Sequence, residues 1–227
     1  MSTNLFDLSQ EYDAMLNQGI RFSGEDKHFF IRGRIADLHG QLPLGFAPRR
    51  ILDFGCGIGD STQVLAHTFP LARITGADTA ENALTHAQQV FGSATVGFCR
   101  VDEIAAHGPY DLCYVNGVFH HIVPADRLAV VRAIYAALAP GGYFALFENN
   151  PWNPGTRVVM SHIPFDHDAQ TLPPPLTRGL LRAAGFRGRL PIRSLFYFPR
   201  QLAVLRRLEP ALARLPLGAQ YYVRGVR

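Results

Sequence analysis

The sequence predicts a doubly wound α/β domain built on a mainly parallel sheet, and three observations carry that expectation. From about residue 48, short apolar runs alternate with segments of helical periodicity over roughly 100 residues. Residues 111–115 (DLCYV) are apolar on nearly consecutive positions, as a strand covered on both faces requires. The first apolar run ends in the glycine turn Gly55-Cys56-Gly57-Ile58-Gly59, directly before a helical segment.

In chain order, residues 50–54 (RILDF) read as the first strand and residues 61–69 as a helix stopped by Pro70. Residues 73–77 form the next strand, Thr79 is placed to cap a helix running to about Phe91, and residues 95–99 return as a strand. After residues 111–115, Leu128, Val131, Tyr135 and Leu138 recur at helical spacing until Pro140-Gly141-Gly142 breaks the run before a strand at 143–147. A Pro-rich loop at 172–175, a helix ending at Gly185 and strands at 192–198 and 220–226 complete the chain. Between the last two lies a leucine-rich helical insert, about 199–217, with Leu202, Leu205, Leu208, Leu212 and Leu215 beside Arg206, Arg207 and Arg214.

At 227 residues, 48% hydrophobic and 18% charged, the chain fits one globular domain with an elaboration and excludes disordered, collagenous and coiled-coil classes. A net charge of +4, with no basic stripe before residue 178, gives no nucleic-acid footprint. Cys56, Cys99 and Cys113 are odd in number and lack CxxC spacing, against both a disulfide framework and a zinc site. The N-terminus carries acids and no long apolar run, and no stretch reaches the ~18 apolar residues of a transmembrane span, so a cytoplasmic location is expected.

The glycine turn identifies a nucleoside pocket. In an open α/β sheet, ligands bind beyond the carboxyl ends of the strands, where glycines let backbone approach them. Asp78, at the end of the second strand, is placed to accept hydrogen bonds from ribose hydroxyls. A dinucleotide loop would need glycine where Asp60 stands, and Asp53 and Asp60 repel a pyrophosphate. The acidic edge instead suits a sulfonium nucleoside with an ammonium group, S-adenosylmethionine.

These residues, with GADTAENAL, VDEI, GPYDLCYVNGVFHHI and ALAPGGYFALFE, resemble the class I S-adenosylmethionine-dependent methyltransferases, specifically the ubiquinone-biosynthesis-like small-molecule group. The resemblance covers residues 12–186 and implies a seven-stranded sheet ordered 3-2-1-4-5-7-6, with residues 1–47 as an N-terminal helical lid and 48–227 as the methyltransferase domain. It assigns Asp53, Gly55, Gly57 and Gly59 to the methionyl end, Asp78 to the ribose, Asp102 to the adenine amine, and Val101 and Ile104 to the adenine ring. Asn116 lines the cofactor by the same resemblance, and Tyr12 matches a lid tyrosine. The implied product is S-adenosylhomocysteine.

Methyl transfer needs alignment in a dry pocket, and a base only where the acceptor must lose a proton. His120 and His121, after the fourth strand, are the catalytic candidates; packing or capping is the other reading of the pair. Glu148, Asn149 and Trp152, after the fifth strand, and His162 are candidates for acceptor binding. His162, Asp166, His167 and Asp168 lack metal-ligand spacing and read as a polar loop, so no metal is expected. Arg21, Lys27 and His28 in the lid are placed to hold an anionic group. The expected function is methyl transfer to a small molecule, lipid-like or a secondary metabolite, with peripheral membrane contact through the insert as one reading of its leucines. The alternative is a protein that binds the nucleoside without chemistry.

Overall fold

The computed structural model describes residues 19–163 and 169–227. Its strands are β1 (Arg50–Phe54), β2 (Arg73–Asp78), β3 (Val96–Arg100), β4 (Tyr110–Asn116), β5 (Leu138–Asn149), β6 (Ile192–Leu195) and β7 (Gln220–Val226). They form one seven-stranded sheet in the order 3-2-1-4-5-7-6. Strands β1 to β5 pair in parallel and β7 runs antiparallel between β5 and β6.

The helices are α1 (Lys27–Gln41), α2 (Asp60–Thr68), α3 (Glu81–Phe91), α4 (Ile104–His107), α5 (Pro124–Ala137), α6 (Pro154–Ser161), α7 (Pro174–Ala184) and α8 (Glu209–Leu212). They cover both faces, which explains the apolar runs in the central strands. On β4, Cys113 and Val115 face a cluster with Val131, Ile134, Leu181 and Phe186 from α5, α7 and the turn after α7. Leu112 and Tyr114 face the opposite cluster with Ile31, Ile35, Leu38 and Leu65 from α1 and α2.

Four local expectations are corrected. Helix α1, expected within a separate lid, is part of the core: Ile31, Ile35 and Leu38 recur at one face and are buried against the sheet. It is pinned by Arg193 Nη2 to Asp37 Oδ1 at 2.8 Å and by Tyr222 Oη donating to Asp37 Oδ2 at 2.9 Å. Thr79 does not cap α3; Ala80 is the capping position, and Asp78 Oδ1 accepts the backbone N–H of both Thr79 and Ala80. Strand β6 stops at Leu195 because Phe196 turns into the left-handed region, at φ +61°. The insert is a 3₁₀ segment, Arg200–Leu208, kinked at Leu202 and followed by the single turn of α8, rather than one amphipathic α-helix.

Candidate functional site

Strand β1 delivers the chain into the glycine turn at the carboxyl edge of the sheet. Gly55 N and Cys56 N both donate to Ala77 O at the end of β2, at 2.7 and 3.1 Å, which folds the turn back across the strand ends. Gly55 has φ +74°, and a Cβ there would lie 2.2 Å from Val118 Cγ2, so only glycine fits. Gly57 has φ +52° with open space where its Cβ would be, the close backbone approach a ligand uses. Asp78 Oδ2 accepts from Gly57 N at 2.8 Å, so this carboxylate ties the glycine turn to the start of α3.

Asp53 lies under the turn. Its carboxylate accepts a hydrogen bond from Thr62 Oγ1 at 2.6 Å, and it is buried. Burial pushes its pKa up to about 7; Thr62 opposes the rise, Asp78 adds to it, Arg34 opposes it and Asp60 adds a little more. A buried carboxyl backed by two further acids favours a cation and disfavours a phosphate. Lys27 Nζ meets Asp60 Oδ2 at 2.7 Å and closes the turn against α1.

A cavity of about 1020 Å³ extends from this acidic turn. Asp78 and Gly57 line one part of it, Asn116, Val118, His120 and His121 line the edge beyond β4, and Phe29, Phe30, Val159, Met160, Phe196 and Phe198 form an apolar wall. Phe30 meets Phe196 edge-on at 4.9 Å between centroids, and Phe29 meets Phe30 at 5.3 Å. The left-handed Phe196 is costly for a bulky residue, and its ring is seated at Gly33 of α1, where a Cβ would come within 2.7 Å of it. Arg206 roofs this wall: Nη1 meets Glu25 Oε1 at 2.8 Å, Nε donates to Phe198 O at 3.0 Å, and the guanidinium sits 4.5 Å from the Phe29 ring centre. Its Nη2 is buried without a hydrogen-bond partner among the described residues.

His120 and Glu148 form a buried pair at the same edge, with Nδ1 and Oε2 2.6 Å apart. Glu148 Oε1 accepts the backbone N–H of Phe119 at 2.8 Å, which fixes the carboxylate. Such a partner holds the proton on Nδ1 and makes Nε2 the basic nitrogen. His121 is exposed, and its ring lies against that of His120 at 4.1 Å between ring centres, tilted by 51°.

Of the residues singled out from sequence, Asp53, Gly55, Gly57, Asp78, Val101, Asn116, Asn149, His120 and His121 line this one cavity. Others do not. Gly59 is the left-handed N-cap of α2, packed against Phe91 and Phe98. Asp102 is exposed and faces Arg100 Nε at 3.3 Å, and Ile104 is in the core. Glu148 stands behind His120 rather than at the cavity wall. Trp152 is exposed, and the His162 ring, also exposed, meets Val158 O at 2.7 Å. Arg21 and His28 are outside the lining, whereas Lys27 lines it and is paired with Asp60. Tyr12, Asp166, His167 and Asp168 lie outside the described residues. Among the described residues there is no group of three His, Cys, Asp or Glu able to hold a metal. The aromatic wall, Arg34 and Arg206 were missed; the Phe29-Phe30 pair and the Phe196-Tyr197-Phe198 run were the available signals.

Residues 52–144 match the family model of a methyltransferase domain. The chain is 29% identical over 161 residues to a trans-aconitate 2-methyltransferase of Rhodopseudomonas palustris (strain BisB18), covering 71% of this chain and 59% of that protein. It thus spans about half the length of the curated relatives it matches. Among solved structures it resembles an S-adenosylmethionine-dependent methyltransferase from Archaeoglobus fulgidus, with a TM-score of 0.67 at 17% identity over 89% of this chain and 95% of the other. It also resembles human N-acetylserotonin methyltransferase in complex with S-adenosylmethionine, with a TM-score of 0.67 at 16% identity over 100% of this chain and 60% of the other. At these identities the structural likenesses show the fold.

Proposed function

We propose that this chain, whose residues 52–144 match the model of a methyltransferase domain, transfers a methyl group from S-adenosylmethionine to a hydroxyl of a small, largely apolar acceptor, lipid-like or a secondary metabolite. The observation that carries the reading is the single cavity joining the acidic glycine turn to an aromatic wall, with the His120–Glu148 pair on its edge.

The residues fit the donor. Asp53, costly as an anion where it stands, gains a partner in the donor's ammonium, and Asp78 offers its carboxylate to ribose hydroxyls while holding Gly57. S-adenosylmethionine supplies a methyl group made electrophilic by its sulfonium. The wall of Phe29, Phe30, Met160 and Phe196 excludes water and orients an apolar acceptor. His120, with Glu148 fixing its tautomer, accepts the hydroxyl proton at Nε2.

The name of the Rhodopseudomonas relative points to a tricarboxylate acceptor. Of the three cations lining this cavity, Lys27 and Arg206 face Asp60 and Glu25 and Arg34 donates to Tyr114 Oη and Gln220 Oε1; with two of the three neutralised and the wall beside them aromatic, the lining favours a largely uncharged body over a polyanion. The test is turnover to S-adenosylhomocysteine on a panel of alkylphenols, long-chain hydroxy compounds and trans-aconitate. Turnover of the apolar hydroxyl compounds in preference to trans-aconitate is expected. Preference for trans-aconitate contradicts the acceptor class, and cofactor binding with no turnover on any acceptor supports a non-catalytic binder.

A further inference from the structure

The segment that roofs the cavity is amphipathic in the wrong sense for a simple cover. In a 3₁₀ segment, residues three apart share a face. Along Arg200–Leu208 and its continuation, Arg206 and Glu209 point inward: Arg206 bonds Glu25 and Phe198 O, and Glu209 Oε1 accepts the N–H groups of Tyr197 and Phe198 at 3.0 and 3.1 Å. The stripe of Leu202, Leu205 and Leu208 falls on another side, with Leu202 45% and Leu208 48% exposed. Val204 is 66% exposed, and beyond α8 Leu215 and Leu217 are 47% and 59% exposed. Neither the 3₁₀ segment nor α8 contains a buried residue. A cover that only closed a pocket would bury its leucines and leave its charges in water.

The charges say what the leucines face. Between residues 200 and 217 the chain carries Arg200, Arg206, Arg207 and Arg214 against one acid, Glu209, and that acid is turned inward. Arg200, Arg207 and Arg214 are exposed. Exposed leucines flanked by arginines alone complement a surface that is apolar beneath and anionic above, which is the signature of an interfacial segment.

We propose that residues 200–217 dock on an anionic lipid bilayer, with Leu202, Val204, Leu208, Leu215 and Leu217 entering the acyl boundary and Arg200, Arg207 and Arg214 meeting lipid phosphates. Arg206 of this segment and Phe198 and Pro199 directly before it line the cavity, so docking brings the acceptor wall to the membrane and gives a bilayer-dissolved acceptor a short path. That path rests on the apolar-acceptor reading; docking itself does not.

The test is flotation of the full chain with vesicles of phosphatidylcholine alone and of equal phosphatidylcholine and phosphatidylglycerol, with light scattering to follow self-association. The chain is expected to float with the anionic vesicles at low salt, at least tenfold less with the neutral ones, and to be released by high salt. The variant L202S/V204S/L208S, and separately R207E/R214E, are expected to stay unbound with unchanged thermal unfolding and unchanged S-adenosylmethionine titration. Flotation with neither vesicle, flotation that both variants retain, or a dimer that the serine variant abolishes in place of any flotation overturns the proposal. Flotation by a chain that binds no S-adenosylmethionine would instead contradict the donor reading and leave docking standing.

Discussion

At Asp53 the protein holds a carboxyl almost wholly buried beneath the glycine turn, and the consequence is a pH dependence of defined sign. Its folded pKa of about 7 lies above the ordinary aspartate value of 3.8. Between about pH 4 and pH 7 the unfolded chain has shed a proton that the folded chain retains. Stability of the ligand-free protein therefore falls as pH rises through that window, by up to about 1.4 kcal/mol per pH unit, and levels off above it. Asp53→Asn should flatten the thermal-unfolding profile between pH 4 and 7; an unchanged slope places the proton elsewhere. The His120–Glu148 pair carries a second prediction. His120→Gln should lower turnover by roughly 10²–10⁴-fold with S-adenosylmethionine affinity unchanged, and unaltered turnover would return the ring to a packing role. The acids of the glycine turn were legible because their spacing along the chain is local. The role of Glu148 was not, because it reaches His120 only through the parallel register that sets Asn116 beside Phe147.

At the scale of elements, the glycine turn and the loop after β4 fit each other through one contact. Gly55→Ala places a methyl group against Val118 and should abolish cofactor binding; Val118→Ala in the same chain relieves the clash but not the φ of +74°, so partial recovery is expected. Full cofactor affinity in Gly55→Ala alone would contradict this account of the turn. Helix α1 is tested by Ile35→Ala, which should cost about 2–5 kcal/mol of stability as a core truncation. A change below about 0.5 kcal/mol would make α1 the separable lid that its sequence position suggested. The 3₁₀ insert was foreseeable from its leucines, since 202, 205 and 208 recur every three residues, the 3₁₀ period, rather than at the 3.6 of an α-helix.

For the whole molecule, alternation of strands and helices made the doubly wound sheet legible, and the family resemblance supplied the strand order that the structure has. The acceptor wall was not legible. Phe29 comes from α1, Val118 from the loop after β4, Met160 from α6 and Phe196 from the residue after β6, and only the assembled sheet with its covering helices brings these four segments together. Sequence motifs thus announced the glycine turn, which is continuous in the chain, while the aromatic wall proposed for the acceptor exists only in the folded arrangement. Of the described residues, no helix is long and apolar enough to cross a membrane.

The central claim is that the acidic glycine turn is a site for a sulfonium nucleoside. Isothermal titration of S-adenosylmethionine and S-adenosylhomocysteine into the purified chain at pH 7.5, with NAD as control and Asp78→Ala alongside, tests it most directly. Micromolar binding of both sulfur nucleosides, no heat with NAD, and a loss of about 1–3 kcal/mol in Asp78→Ala is the predicted result. Absence of binding by either nucleoside, or binding of NAD with equal affinity, would contradict it.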